Sequence, residues 1–204
     1  MLKALLLEAF ICAARRGLGY RDFFLALAAA RGVPVSADAR LESMIRDLAQ
    51  LVESAPARWR VPEDAVLVDG LGLAEAYGIY VELSAAGAPP FVEVNVNPRG
   101  DTLGFKQKLD VPTMAQASEK LRTATLYRSV DKLVHGLPPM PPEELASVLE
   151  RELGERLKRI VEDAKRRRAA IAADHAYDVV CENGMCRLCH GARCPLSKIA
   201  LVLS

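Results

Sequence analysis

The chain has 204 residues, of which 51% are hydrophobic and 26% charged, and its net charge is +1 at neutral pH. This length suits one domain, or one domain with a small appendage, and is sufficient to bury a hydrophobic core. Because acids and bases nearly cancel, the overall charge does not indicate nucleic acid or an anionic membrane as a partner. The apolar residues 1–10 are interrupted by Glu8 and are too few to span a bilayer. We therefore predict a cytoplasmic protein that does not enter a membrane.

Residues 1–60 are predicted to form a helical N-terminal segment. Apolar residues recur at helical spacing over 2–16 and 20–31, and glycine or proline follows each stretch. Ser36 is predicted to cap a third helix over 37–54, which has one apolar face. None of these residues has an evident chemical role, so the segment is expected to pack on or beside the rest of the chain.

The pattern changes after residue 60. Short apolar runs typical of buried strands recur at residues 65–68, 91–96, 123–130, 169–173 and 199–203. They alternate with helical stretches such as 143–167, which predicts an α/β domain over 61–204 with a mainly parallel sheet flanked by helices. Asp69 directly follows the first run and precedes two glycines. Ligands of open α/β sheets bind beyond the carboxyl ends of the strands, so Asp69 is predicted to face a binding site.

Further residues with chemical potential follow in order along the chain. Thr113 comes after Pro112 at a predicted helix start, where the helix dipole favours negative charge. An Asp-x3-His motif, an Asp-His pair after a strand, and one more histidine complete the series. These residues are Asp131 with His135, Asp174 with His175, and His190. The chain contains three histidines, and all three belong to this series.

The ordered series resembles the ligand series of the alkaline phosphatase superfamily of metalloenzymes. The match is closest to its cofactor-independent phosphoglycerate mutase and PglZ-domain branches, and it covers about residues 61–204. It implies a reduced alkaline-phosphatase-like core, because the seventeen residues between Thr113 and Asp131 leave no room for the cap domain that many members insert. Ala176 also departs from the glycine that many members have after Asp-His.

The resemblance implies two divalent metal ions and metal-dependent phosphoryl transfer or phosphoester hydrolysis. One ion would be bound by Asp69, Thr113, Asp174 and His175, and the other by Asp131, His135 and His190. Carboxylates and imidazoles suit Zn²⁺ or Mn²⁺. Thr113 would be the nucleophile, activated by the metal and by the helix N-terminus. The phosphate oxygens of the phosphoester substrate would be contacted by Asn97, Arg99, Lys106 or Lys108.

Four of the five cysteines lie in a Cys-rich loop over 181–194, at Cys181, Cys186, Cys189 and Cys194. Clustered thiols without a secretory signal favour a structural zinc ion or an iron–sulfur cluster. Disulfides are the alternative if the source is a hyperthermophile. His190 lies inside this loop, so it belongs either to the two-metal site or to the cysteine cluster.

A second hypothesis comes from a different functional class. The chain would be a non-catalytic interaction module that binds a protein partner or nucleic acid. Its cysteine cluster would then be structural, and the basic run 165–168 would contact phosphates.

Overall fold

The computed structural model describes residues 1–85, 87 and 89–204. The helices are α1 (Leu2–Arg15), α2 (Tyr20–Ala30), α3 (Ala39–Ser54), α4 (Leu73–Ser84), α5 (Thr102–Leu109), α6 (Met114–Lys120), α7 (Ser129–Gly136) and α8 (Pro142–Arg167). The strands are β1 (Val66–Val68), β2 (Val92–Val96), β3 (Thr125–Tyr127), β4 (Ile171–Ala173), β5 (Asp178–Glu182), β6 (Met185–Cys189) and β7 (Ile199–Leu203). A short 3₁₀ helix, Pro195–Lys198, leads into β7. The sequence predicts a helix or an irregular segment over 73–86, and its last residue, Ala86, lies outside the described residues.

A five-stranded sheet in the order β2-β7-β4-β1-β3 forms the centre of the fold. β1 is parallel to β3 and β4, whereas β7 is antiparallel to β4 and β2. The α/β class is therefore confirmed, but the sheet is mixed rather than mainly parallel. The reason is the path of the chain: the 3₁₀ helix delivers β7 to the edge where β4 ends, so β7 must run back across the sheet.

The direction of the strands fixes where the functional groups meet. Since β7 is antiparallel to both of its neighbours, β2 has the same direction as β4, β1 and β3. Four strands thus end at one edge of the sheet, and the loop that precedes β7 lies at this edge too. Residues that follow these four strands are therefore brought together although they are far apart in sequence.

The N-terminal helices pack into the same hydrophobic core as the sheet. Phe10 of α1 and Phe23 of α2 contact each other with ring centroids 5.6 Å apart, and Phe23 stacks on Tyr77 of α4 at 4.7 Å. A second apolar cluster, which includes Leu67 and Phe105, brings α5 and α6 to the sheet. The N-cap of α3 is Asp38, whose carboxylate accepts a hydrogen bond from the backbone of the helix, and not the predicted Ser36. Within the described residues, no helix is both long and apolar enough to cross a membrane.

The predicted Cys-rich loop is mostly a β-hairpin made of β5 and β6. Asn183 and Gly184 form its turn and both have positive φ angles, 53° and 77°. Asn-Gly is the sequence that such a two-residue turn prefers, because asparagine and glycine tolerate this backbone conformation. The expectation of an irregular loop over 181–194 is therefore wrong for the hairpin and holds only for the residues after β6.

Asp163 fastens the end of α8 to the edge strand β3. This buried carboxylate accepts a 2.6 Å hydrogen bond from the Thr125 hydroxyl, and it also pairs with Arg166 and Arg167 at 2.5 and 2.9 Å. The hydrogen bond from Thr125 and that from Arg166 hold the pKa of Asp163 well below its usual range. Two arginines of the basic run 165–168 thus already have an intramolecular partner.

We expect Asp163→Asn to lower the free energy of unfolding by about 2 kcal/mol, because it removes charge-assisted hydrogen bonds from a buried site. Urea denaturation at pH 7 measures this difference, with exposed Glu162→Gln as the control. Since the pKa of Asp163 is lowered by folding, its contribution is complete above pH ~4 and is lost as the pH falls below that value. A difference between wild type and Asp163→Asn that stays constant down to pH 2 would contradict this role.

Candidate metal centre

Two groups of potential metal ligands meet at the carboxyl edge of the sheet. The inner group consists of Asp69, Asp174 and His175, and all three side chains are buried. Asp69 follows β1 and Asp174 follows β4; these strands are parallel neighbours in which Val68 is opposite Ala173. In each group, one ligand atom per residue lies within 4.8 Å of the others.

The outer group consists of Asp131, His135 and His190. Asp131 and His135 lie one turn apart on α7, with His135 Nε2 3.2 Å from Asp131 Oδ1. His190 comes from the segment after β6, and its Nε2 lies 3.0 Å from that of His135. The ring of His190 stacks on that of His175 with centroids 4.8 Å apart, so the two groups are adjacent. The six predicted carboxylate and imidazole ligands are therefore all in one region.

Asp174 has one carboxylate oxygen without a hydrogen-bond partner. Its Oδ1 accepts hydrogen bonds from the backbone N–H groups of Gly70 at 2.8 Å and His175 at 3.0 Å. Its Oδ2 is buried and has no hydrogen-bond partner among the described residues. Leaving a buried charged oxygen unpaired is costly, and a bound cation would remove that cost. The donor set and this orphaned oxygen therefore fit a divalent metal ion.

Gly70 allows this close approach of the two strand ends. Its φ is +69°, a conformation that favours glycine. A Cβ atom at this position would overlap the hydroxyl of Tyr177. That hydroxyl donates a 3.0 Å hydrogen bond to Asp131, so the turn at Gly70 makes room for a contact between the inner and outer groups.

His175 is oriented with one ring nitrogen toward the cluster. Its Nδ1 lies 2.8 Å from the carbonyl oxygen of Ala176, which can only accept, so Nδ1 carries the proton. In the neutral ring, Nε2 is then a free acceptor or ligand atom. The hydroxyl oxygen of Thr102 lies 3.3 Å from this Nε2 and 3.1 Å from Asp69 Oδ1.

Thr102, rather than Thr113, is the threonine in contact with the inner group. Thr113 is exposed at the N-terminus of α6, where its hydroxyl accepts from the backbone N–H of Gln116 and donates to that side chain. Its predicted place at a helix start agrees with the structure, and the hydrogen bonds of its hydroxyl are with Gln116 and not with a residue of the inner group. Thr102 is the first residue of α5, whose N-cap is Asp101. Residues 97–104 are mostly polar and include proline and two glycines, a composition typical of loops, so the sequence gives no clear signal for this helix start.

The four predicted phosphate contacts have different environments. Asn97 is buried, and its amide donates to the backbone carbonyls of Asp101 and Asp174, so it supports the loop before Thr102. Arg99 is half-exposed and pairs with Asp101. Lys106 and Lys108 lie toward the C-terminal end of α5, whose opposite end carries Thr102. The structure therefore brings neither lysine to the helix terminus that favours an anion.

Two residues of the site were not predicted from the sequence. Arg128, directly after β3, has its Nε 3.4 Å from Asp69 Oδ2 while most of its side chain is exposed. Tyr177 is buried against His175 and His190 in addition to its bond with Asp131. The signal for Arg128 was its place after a strand, the same signal that indicated Asp69.

Burial and like charges act together on the inner group. Burial raises the pKa of Asp69 to about 6, and the nearby charges of Asp174 and Asp131 add to this rise. Burial also lowers the pKa of His190, with further lowering from His175 and His135. His190 therefore favours the neutral form that binds metals.

The four clustered cysteines form two disulfides, Cys181–Cys186 and Cys189–Cys194. The first crosses the hairpin, with Cys186 fully buried. The second is partly exposed and lies beside His190. This pairing corresponds to the disulfides predicted as the alternative to a metal cluster, and a four-thiolate metal cluster would need all four sulfurs to be reduced.

Comparisons of the chain with protein-family models, with curated proteins and with solved structures find no match. The assignment of a function therefore depends on the geometry of the site.

We expect the metal-free protein to lose stability as the pH rises from about 4 to about 6. The pKa of Asp69 is raised by folding, so its protonated form stabilises the fold below its unfolded pKa of ~4, and this stability is lost as the pH passes through about 6. Thermal unfolding in EDTA measures the effect. Asp69→Asn imitates the protonated carboxyl, so its melting temperature should depend less on pH over this window. Equal slopes for both proteins would contradict the raised pKa.

Proposed function

We propose that this protein is a metal-dependent enzyme of phosphoryl transfer or phosphoester hydrolysis, with Thr102 as its nucleophile. One observation carries the proposal: a threonine hydroxyl at a helix N-terminus touches a buried Asp-Asp-His group that has an orphaned carboxylate oxygen. The residue types needed for a nucleophile, its activation and the binding of an anion thus occur within one cluster.

The inner and outer groups would each hold one divalent cation. This division equals the one implied by the resemblance to the alkaline phosphatase superfamily, with Thr102 in the position given there to Thr113. When bound, two ions such as Zn²⁺ or Mn²⁺ would neutralise the carboxylates, lower the pKa of the Thr102 hydroxyl and polarise the phosphoryl oxygens. A reduced alkaline-phosphatase-like core is accordingly part of the proposal.

Thr102 would attack the phosphorus atom of the substrate. Its hydroxyl proton passes to a neighbouring base, for which Asp69 Oδ1 at 3.1 Å is the nearest carboxylate oxygen, and an Oγ1–P bond forms. The bond between phosphorus and the leaving oxygen breaks, and that oxygen takes a proton from solvent water. Water or an acceptor alcohol then forms a bond to the phosphorus of the phosphothreonine and loses its proton to solvent, the Oγ1–P bond breaks, and Thr102 takes back its proton from Asp69.

Arg128 and the N-terminus of α5 would hold the phosphoryl group. The guanidinium of Arg128 lies beside Asp69 and is accessible to solvent, so it can reach an oxygen of a phosphoryl group attached to Thr102. The first backbone N–H groups of α5 add the favourable end of the helix dipole. Tyr177 would position Asp131 through its 3.0 Å hydrogen bond.

The interaction-module hypothesis remains the alternative class. It uses the basic run 165–168 as a phosphate contact, and Arg166 and Arg167 of that run are engaged with Asp163. The interaction-module hypothesis also gives no role to the buried charged residues of the inner group. We therefore favour the enzyme.

Thr102→Ala should reduce phosphatase activity by about a thousandfold or more, since it removes the nucleophile. Hydrolysis of p-nitrophenyl phosphate in the presence of Zn²⁺ or Mn²⁺ measures this, and elemental analysis measures bound metal in the same samples. Thr113→Ala is the matched control and should keep near-wild-type activity. Asp174→Asn should lose metal.

The opposite pattern would overturn the nucleophile assignment: full activity in Thr102→Ala with loss in Thr113→Ala. A wild-type protein that binds neither metal and hydrolyses no phosphoester would overturn the enzyme, and salt-sensitive binding of nucleic acid would then support the interaction module.

The disulfide next to His190 should influence metal binding. We expect the double variant Cys189→Ser/Cys194→Ser to bind one of two metal ions about tenfold more weakly, because the segment that presents His190 loses a covalent constraint. Titration calorimetry with Zn²⁺ measures both sites. The control, Cys181→Ser/Cys186→Ser, should lower stability by about 2 kcal/mol, as expected for a short disulfide loop, with little change in metal affinity. Equal metal affinities in both variants would contradict this positioning role.

A further inference from the structure

A cavity lined by both polar and apolar residues adjoins the outer group. It has a volume of about 880 Å³ and lies between the connection from α2 to α3 and the polar side of the β5–β6 hairpin. His190 lines it, so the cavity begins at a residue of the candidate metal centre. This volume is within the range of small-molecule binding sites.

The hairpin turns one face to the core and the other to this cavity. The side chains of Val179, Cys186 and Leu188 belong to the hydrophobic core or pack against it. Since side chains alternate along a strand, Asp178 and Arg187 are on the opposite face. Val180 is the cross-strand partner of Arg187, so these two side chains lie on the same face of the hairpin. Because Val180 follows the core residue Val179, this face is the one turned away from the core.

Three arginines line the cavity, and they are not equivalent. Arg31 at the end of α2 has its Nε 3.0 Å from Asp178 Oδ1, so its charge has a partner. Asp178 also accepts hydrogen bonds from the backbone of Val179 and Leu196, which makes this pair part of the wall. Within the part of the chain that the structure describes, no carboxylate lies within ion-pair distance of Arg187 or Arg193.

We propose that Arg187 and Arg193 bind a second phosphate group of the substrate, so that the enzyme acts on organic bisphosphates. This inference rests on the proposed function, because the first phosphate would occupy the metal centre near Thr102. Arg193 lies three residues after His190 in the same segment, so the two phosphate positions are joined by a short stretch of chain.

The chemistry of the wall favours phosphate over other groups. One guanidinium group can donate two parallel hydrogen bonds to the oxygens of a phosphate. Exposed arginines without a carboxylate partner have their donors available for such bonds. Glu182, the remaining carboxylate of the lining, lies next to the hairpin turn and is exposed. An entirely neutral leaving group would leave both arginines without a role.

The test compares the binding of two nucleotides that differ by one phosphate: adenosine 5′-monophosphate and adenosine 3′,5′-bisphosphate. Titration calorimetry uses the Thr102→Ala variant of the 204-residue chain with Mn²⁺, since loss of the proposed nucleophile prevents turnover. We expect the bisphosphate to bind about tenfold more tightly than the monophosphate. Arg187→Ala/Arg193→Ala in the same background should abolish this preference and leave the affinity for the monophosphate unchanged.

A matched control removes two exposed arginines elsewhere. Arg151→Ala/Arg159→Ala on α8 changes the net charge equally and should keep the preference. Arg187→Lys/Arg193→Lys should keep part of the preference for the bisphosphate, and thermal unfolding verifies that each variant is folded.

No preference for the bisphosphate, or a preference that survives Arg187→Ala/Arg193→Ala, would overturn the proposal. If the wild type still hydrolyses p-nitrophenyl phosphate in that case, only the bisphosphate proposal fails and the proposed enzymatic function stands. If the wild type hydrolyses no phosphoester but the bisphosphate preference depends on the arginines, the proposed enzymatic function is wrong and the anion site at Arg187 and Arg193 is supported.

Discussion

The placement of Asp69 and Asp174 side by side in a buried position is the constraint on which the rest of the site depends. Burial removes both carboxylates from solvent and their like charges repel each other, which accounts for the raised pKa of Asp69. The parallel pairing of β1 and β4 enforces this proximity, and the backbone donors at Gly70 and His175 satisfy only one oxygen of Asp174. A fold that holds this arrangement without a cation carries a local cost, which is common where function requires it.

The location of the site could be predicted because its signals are local. Asp69 and Asp174 each follow an apolar run, and a strand that ends in a carboxylate is visible in a single sequence. The choice between Thr102 and Thr113 could not be made in this way. Both residues open a helix, and only the pairing of strands determines which helix begins beside Asp69. Gly104 and the polar residues around it are typical of turns, so the sequence pattern did not predict the start of α5.

Local sequence patterns could not predict the direction of β7 or the pairing of the cysteines, for a similar reason. An apolar run predicts a strand but carries no information about its direction, which follows from the preceding connection. The Asn183-Gly184 turn was recognisable in the sequence, and it determines that Cys181 lies opposite Cys186. The pairing of Cys189 with Cys194 depends on the segment after the hairpin, for which the sequence has no comparable turn signal.

The loops that carry Thr102 and His190 are joined by one backbone contact. The N–H of Gly191 donates to the carbonyl of Gly100 at 2.7 Å, and a Cβ atom on Gly100 would overlap the hydroxyl of Ser197. This contact links the loop before Thr102 to the segment that carries His190 of the outer group, so local opening of one loop breaks a hydrogen bond of the other. The two parts of the site therefore belong to one cooperative unit.

The strand pairings have a consequence for how the site forms. β1 pairs with β4, and β2 with β7, across about a hundred positions in each case. Such long-range contacts are typical of slow folding, and each ligand group contains residues from distant parts of the chain. A partly folded chain therefore has neither group complete, and any cation that prefers the complete groups shifts the folding equilibrium toward the native state. Metal supply during biosynthesis would then control the yield of folded protein.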